Sequence, residues 1–84
     1  MISSEQVRAA RAMLRLSVVT LSEQSGVGVA TIKRLEASDG LPSAHIRTVV
    51  ALRQALESLG IEFLGGPFNN PGVRLLQRRQ REEA

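Results

Sequence analysis

The sequence contains no cysteine and only one histidine, His45. Without cysteine the chain has no disulfide, no thiolate metal ligand and no cysteine nucleophile. A single histidine excludes a metal site built from several imidazoles, and we assign His45 no catalytic or metal-binding role. No spacing of serine, histidine and aspartate suggests a catalytic triad, and neither a GxGxxG nor a phosphate-loop pattern occurs. The expected protein is therefore not an enzyme and has no cofactor.

Aromatic residues are nearly absent: the chain has two phenylalanines, no tyrosine and no tryptophan. This composition argues against recognition of single-stranded nucleic acid, which uses aromatic side chains as stacking platforms. No apolar run approaches the roughly 18 residues of a membrane span, and the charged N-terminus lacks the apolar core of a signal peptide. We expect a soluble, cytoplasmic protein without a membrane partner.

Acidic residues are outnumbered, with 8 Asp and Glu against 11 Lys and Arg in 84 residues, a net charge of +3. All the cations except Lys33 are arginines, whose planar guanidinium groups suit phosphate and guanine. The cations cluster at Lys33–Arg34 and near the C-terminus, at Arg74, Arg78, Arg79 and Arg81. A chain of this length forms one small domain of marginal stability, and oligomerisation is a common supplement.

The apolar spacing predicts four helices. The first covers about residues 4–15, with Ser3 and Gln6 at the spacing of a capping box. The second is capped by Ser17 or Thr20 and stops at Gly26, and the third covers about residues 28–37. The fourth covers about residues 43–59, with Ser43 as its cap.

The C-terminal part changes character. Two strand-like runs, residues 61–64 and 73–76, flank a turn-rich segment of eight residues, 65–72. This pattern predicts a hairpin with a long loop whose tip could be mobile or could cross to a partner. The charged residues 77–84 are expected to form a flexible tail.

The most informative stretch is residues 17–36, where two short helices meet at Gly26. Ser22, four residues before the glycine, is small enough to let the helices approach. Val27, Ile32 and Leu35 are predicted to point inward. The outward positions of the third helix are Gly28, Val29, Ala30, Thr31, Lys33 and Arg34. A short helix pair with a glycine turn is typical of the helix-turn-helix, whose second helix enters the DNA major groove.

Residues 4–59 resemble the Cro and phage-repressor type helix-turn-helix of the XRE family. The resemblance implies a mainly α fold, a repressor-like domain of four to five helices, here followed by a C-terminal strand pair. It implies a structural ion pair between Arg11 and Glu36. The C-terminal part resembles small bacterial members ending in a GIEF…GPGVRL pattern, here Gly60–Phe63 and Asn70–Leu75. The corresponding division is a DNA-binding domain at 1–60, a dimerisation segment at 61–76 and the tail.

The sequence also departs from the family pattern. Val18 stands where the family often has a glutamine that holds a phosphate, and Val29 and Ala30 stand where polar base readers are common. The remaining contacts would be Val29 and Ala30 with thymine methyls, Thr31 through its hydroxyl, and Lys33 or Arg34 with guanine or phosphate. The DNA-binding set implied is Val18, Gly28, Val29, Ala30, Thr31, Lys33, Arg34 and Ser43.

The expected function is therefore that of a dimeric regulator that binds a palindromic double-stranded operator through its third helix, as phage and mobile-element repressors and restriction–modification controllers do. RNA polymerase is a further expected partner. Dimerisation is expected through the fourth helix and the strand pair, at Ile61, Phe63, Leu64, Val73, Leu75 and Leu76. An antitoxin that binds a toxin protein is the alternative, and a protein-interaction module without DNA binding is a third reading.

Overall fold

The structure, a computed structural model, describes residues 1–76, which form four α-helices followed by a two-stranded antiparallel sheet. The elements are α1 Ser4–Leu14, α2 Val18–Ser25, α3 Val29–Glu36, α4 Ile46–Ser58, β1 Ile61–Gly66 and β2 Asn69–Leu75. The mainly α class is confirmed. The expected flexible tail, residues 77–84, lies outside the described residues. None of the described helices has the length and apolar character needed to cross a membrane.

The ends of the first two helices follow their capping residues. The Ser3 hydroxyl accepts the backbone N–H of Gln6, and the Gln6 side chain accepts the N–H of Ser3, which completes a capping box. Ser17 caps α2 by accepting the N–H of Thr20. Gly26 ends α2 at φ +78°, a left-handed conformation that glycine adopts at little cost.

The fourth helix begins at Ile46, three residues later than the sequence predicts, and its N-cap is His45, not Ser43. The Nδ1 atom of His45 accepts the backbone N–H of Arg47 at 3.2 Å. This nitrogen occupies the place that the Oδ1 atom of an asparagine cap would take, which explains why a histidine can start the helix.

The hairpin is tighter than predicted, because most of residues 65–72 belong to its strands and the connection is only Pro67 and Phe68. The register shifts between Leu64 and Gly66. Gly65 at φ +67° and Asn70 at φ 51° provide the positive φ angles for this irregularity. The two strands pair within the chain, so the turn-rich residues build a bulge and not a long loop.

The core lies between the helices and one face of the hairpin. Its largest fully buried apolar side chains are Ile2, Val7, Leu21, Ile32, Leu52, Leu56 and Ile61. Phe63, Val73 and Leu75 pack against this cluster from the hairpin. Burial of these side chains fixes α3 between α1 and α2 and determines which of its faces remains in solvent.

Candidate nucleic-acid interface

A short connection of three residues joins α2 to α3. The backbone N–H of Gly26 donates to the carbonyl oxygen of Ser22 at 2.9 Å. The Ser25 hydroxyl donates to the Leu21 carbonyl oxygen at 2.7 Å and accepts the N–H of Val27 at 3.1 Å. These bonds define the turn, and Gly28 follows as the N-cap of α3.

Helix α3 presents one face to the core and one to solvent. Ile32 and Leu35 are buried, and Val27 packs against the core from the preceding turn. Gly28, Ala30, Lys33 and Arg34 are exposed, whereas Val29 and Thr31 are half-buried. Four of the six predicted positions therefore face solvent, and Val29 and Thr31 lie at the border with the buried face.

Two arginines of α1 hold the C-terminal end of α3. Arg11 forms a two-pronged ion pair with Glu36, with Nε–Oε2 and Nη2–Oε1 distances of 2.9 and 2.8 Å. The hydrogen bond to Glu36 raises the pKa of Arg11. Arg8 donates to the carbonyl oxygens of Glu36 and Ser38 at 2.6 and 2.7 Å, and its other nitrogen pairs with Asp39. α3 is thus fixed in place by charged contacts behind its exposed face.

These contacts also neutralise the local acids. Glu36 and Asp39 are the only acidic residues between Glu23 and Glu57, and both are paired with α1 arginines. Within residues 1–76, Arg15, Lys33, Arg34 and Arg47 have no ion-pair or hydrogen-bond partner for their side chains, and the last three belong to α3 and the start of α4. The surface formed by α3 and the start of α4 is therefore a region of uncompensated positive charge.

An open cavity of about 330 Å³ lies between α3 and the start of α4. Its lining is mainly polar and comprises Thr31, Arg34, Leu35, Ser43, Ala44, His45 and Thr48. One guanidinium, one imidazole and three hydroxyls thus face the same space. Such a set of donors suits an oxyanion, and the cavity includes three predicted DNA contacts, Thr31, Arg34 and Ser43.

Two groups of predicted site residues lie elsewhere. Val18 is half-buried against the core, so its side chain serves packing at the first turn of α2. Ile61 is buried, and Phe63, Val73 and Leu75 pack against the chain's own core. These four hairpin side chains join the hairpin to the helices, and their role in dimerisation stays a prediction. Of the predicted dimerisation set, Leu64 is half-buried and Leu76 is exposed.

Several large apolar side chains outside the predicted dimerisation set are exposed to solvent. On α4, Ile46 and Val50, one turn apart, are 59% and 44% exposed. At the hairpin tip Phe68 is 84% exposed. These three side chains, together with Val19 at 56% and Leu41 at 47% exposed, are candidates for contacts with another molecule.

The sequence did not reveal His45, Arg47 and Thr48 as parts of this surface, or Arg8 as a residue that holds α3 from behind. One available signal was the absence of acidic residues from Gly40 to Leu56, a span that contains Arg47. The role of Arg8 could not be read from the sequence, because its partners are backbone carbonyls 28 and 30 residues away.

No protein-family model matches the chain, and the searches of curated proteins and of solved structures return no significant match either.

Proposed function

We propose that the protein binds double-stranded DNA through α3 and the start of α4, as a dimeric transcriptional regulator with a repressor-like helix-turn-helix. In this proposal α2, the Gly26 turn and α3 form the motif, and α3 enters the major groove. The operator is then bound by two copies, whose α3 helices reach half-sites roughly 34 Å apart.

The observation that carries the proposal is the pairing of Glu36 and Asp39 with Arg11 and Arg8. It leaves Lys33, Arg34 and Arg47 without a counter-charge on one surface. DNA supplies that counter-charge, because each phosphate bound by a cation releases a condensed counterion and adds to the affinity. The net charge of +3 alone is a weak indication; its concentration beside α3 is a stronger one.

The contacts divide into two kinds. Arg34, Thr31 and Ser43 line the polar cavity and suit a backbone phosphate, which positions the helix on the duplex. Val29 and Ala30, at the start of α3, suit thymine methyl groups, and Lys33 suits phosphate or guanine. With so few hydrogen-bonding groups at the front of α3, sequence-dependent DNA shape would supply part of the specificity.

The second copy would bind to the exposed face of α4. Ile46 and Val50 lie on this face, which also carries Arg47 and Glu57. An antiparallel α4–α4 contact packs Ile46 and Val50 of one copy against the same residues of the other, as in a two-fold interface where the same patch faces itself. Regulation would then follow from occupancy of the operator, by blocking or contacting RNA polymerase.

The test is DNA binding by the purified full chain across a series of salt concentrations, with DNA from its own upstream region and a shuffled duplex. We expect log affinity to fall linearly with log salt, and the upstream DNA to bind more tightly. Arg34→Gln should weaken binding about tenfold or more. Arg74→Gln, which removes the same charge from the hairpin, is the matched control. Equal effects of the two variants, or no binding at low salt, would contradict the proposal.

A protein partner is the second candidate, favoured by Phe68. An exposed phenylalanine at the tip of a hairpin is a typical anchor for a pocket on another protein. Residues 61–73 carry one charge, Glu62, and no cation, which fits a protein surface better than DNA. In the antitoxin alternative this hairpin would bind the toxin, and a toxin-like reading frame beside the gene would support that role.

A further inference from the structure

We propose that His45 makes DNA binding dependent on pH, because the bound duplex favours the protonated ring and the free protein uses the neutral ring. This inference rests on the proposed DNA-binding function and concerns regulation of the same surface. It assigns to the single histidine the role of a proton-linked switch.

In the free protein the ring acts as a hydrogen-bond acceptor. Its Nδ1 atom accepts the N–H of Arg47 and caps α4. An acceptor nitrogen carries no proton, so charging the ring removes this bond. The hydrogen bond that caps α4 therefore requires the neutral imidazole of His45.

The charges around the ring also matter for its protonation. Among the residues that line the cavity, Arg34 on α3 carries a positive charge. Arg47 lies two residues after His45 along the chain. The cavity lining includes no carboxylate. The nearest acids along the chain, Asp39 and Glu36, are held by Arg8 and Arg11 of α1. Without DNA, no described carboxylate in the cavity compensates an imidazolium.

A phosphate of the duplex would reverse this balance. Seated beside Arg34, Ser43 and Thr31, it places a negative charge in the space that His45 lines. The phosphate then favours the imidazolium, and the attraction between them offsets the loss of the hydrogen bond that caps α4. Since the two equilibria are linked, a bound duplex raises the ring's affinity for a proton, and a bound proton raises the affinity for DNA by the same factor.

Protonation of His45 can be followed by NMR without overlap, because the chain's only histidine gives one set of imidazole proton resonances. The full chain is titrated with acid in an NMR experiment, alone, with a duplex of about 20 base pairs at low salt, and with inorganic phosphate at the same ionic strength. We expect the duplex to move the midpoint of the His45 titration upward by about one pH unit, equivalent to about a tenfold change in affinity. Phosphate should move it less.

Binding assays with variants provide the second measurement. The affinity of the unmodified chain should rise about five- to tenfold between pH 7.5 and pH 5.5. His45→Asn keeps a capping oxygen but does not titrate, so its affinity should change less than about twofold over this range. A melting temperature of His45→Asn equal to that of the unmodified chain at high pH shows that the cap and the fold are intact.

The outcomes separate the inference from the proposed function. If DNA binds but the His45 midpoint is the same with and without it, the switch is wrong and the DNA-binding function stands. Persistence of the pH dependence in His45→Asn would also overturn it, as would a midpoint that responds to phosphate and not to the duplex. Absence of DNA binding at every pH would overturn the proposed function, and the switch with it.

Discussion

The side-chain amide of Gln6 joins the start of α1 to the hairpin: its Nε2 atom donates to the carbonyl oxygens of Leu64 at 2.8 Å and Gly72 at 3.0 Å. Its Oε1 atom accepts the N–H of Ser3 at 2.8 Å. One buried side chain thus completes a helix cap and ties both strands to the helical part of the chain.

Gln6→Glu tests this link. A glutamate retains the capping box but places a carboxylate against two carbonyl oxygens. We expect the free energy of unfolding to fall by about 2–4 kcal/mol at neutral pH. Part of the lost stability should return at low pH, because a protonated glutamic acid can again donate to a carbonyl oxygen of the hairpin. Denaturant unfolding measures both effects, and Gln24→Glu at an exposed position of α2 is the control. Equal stability of the two variants would mean that the Gln6 contacts carry little energy.

The hairpin bulge depends on Gly65. A Cβ atom at this position would lie 2.3 Å from the carbonyl oxygen of Asn69, and its φ is +67°. Gly65→Ala should therefore lower the free energy of unfolding by about 2 kcal/mol or more. A Cβ at Gly66 meets no atom within 4 Å, so Gly66→Ala should change stability by less than about 1 kcal/mol. Thermal unfolding of both variants provides the comparison, and the reverse order would refute the hairpin register.

The Arg11–Glu36 pair should be worth more than an exposed pair. The Glu36 side chain is only 9% exposed, and its removal leaves Arg11 half-buried with one backbone acceptor, the Leu16 carbonyl. Glu36→Gln should cost about 1–3 kcal/mol of stability. Glu57→Gln breaks the exposed Arg53–Glu57 pair of α4 and should cost less than about 0.5 kcal/mol. Chemical denaturation distinguishes the two variants, and a smaller loss in Glu36→Gln than in Glu57→Gln would contradict the greater strength of the Arg11–Glu36 pair.

The carboxylate of Glu5 makes part of the protein's folding stability dependent on pH. The Gly40 N–H donates to its carboxylate at 2.9 Å, and this hydrogen bond lowers the pKa of Glu5 below its ordinary value of 4.5. A lowered folded-state pKa adds stability above the ordinary value, and that stability is lost as the pH falls through the folded-state pKa. In Glu5→Gln the melting temperature should fall less between about pH 5 and about pH 3. Glu23→Gln is the control, and parallel curves for all three proteins would disprove the effect.

Dimerisation should depend on α4 and not on the hairpin tip. The 9.1 kDa chain is expected to sediment as a dimer, and Val50→Glu should convert it to a monomer by placing a charge in the apolar contact. Phe68→Glu, an equal change at the most exposed apolar side chain, should leave the dimer intact. The opposite pattern would assign the interface to the hairpin and favour a role for strand 61–66 or 69–75 between copies.

The sequence was sufficient to predict that four helices exist and where the first two begin and end, because those ends depend on local signals. Ser3 with Gln6, Ser17 and Gly26 all act where the sequence places them. It failed at α4 and in the hairpin for different reasons. His45 is a rare cap, so Ser43 was the preferred start. Gly65 and Asn70 are turn residues in most contexts, and only the pairing of both strands identifies them as a bulge.

The surface beside α3 was partly predictable. A helical period was enough to separate Lys33 and Arg34 from Ile32 and Leu35. The neutralisation of Asp39 by Arg8 and the cavity at His45 depend on residues brought together by the tertiary fold, which no spacing in the sequence encodes directly. The same limit applied to Phe63 and Leu75, whose strand pattern did not reveal that the chain's own core covers them.

Binding of DNA to α3 and the start of α4 can be mapped from the backbone amide chemical shifts of the full chain during titration with its upstream duplex. We expect the largest chemical-shift changes at residues 28–34 and 43–48, and a shifted or broadened resonance from the Arg34 side chain. Changes confined to the hairpin, or a spectrum unaffected by DNA, would contradict it.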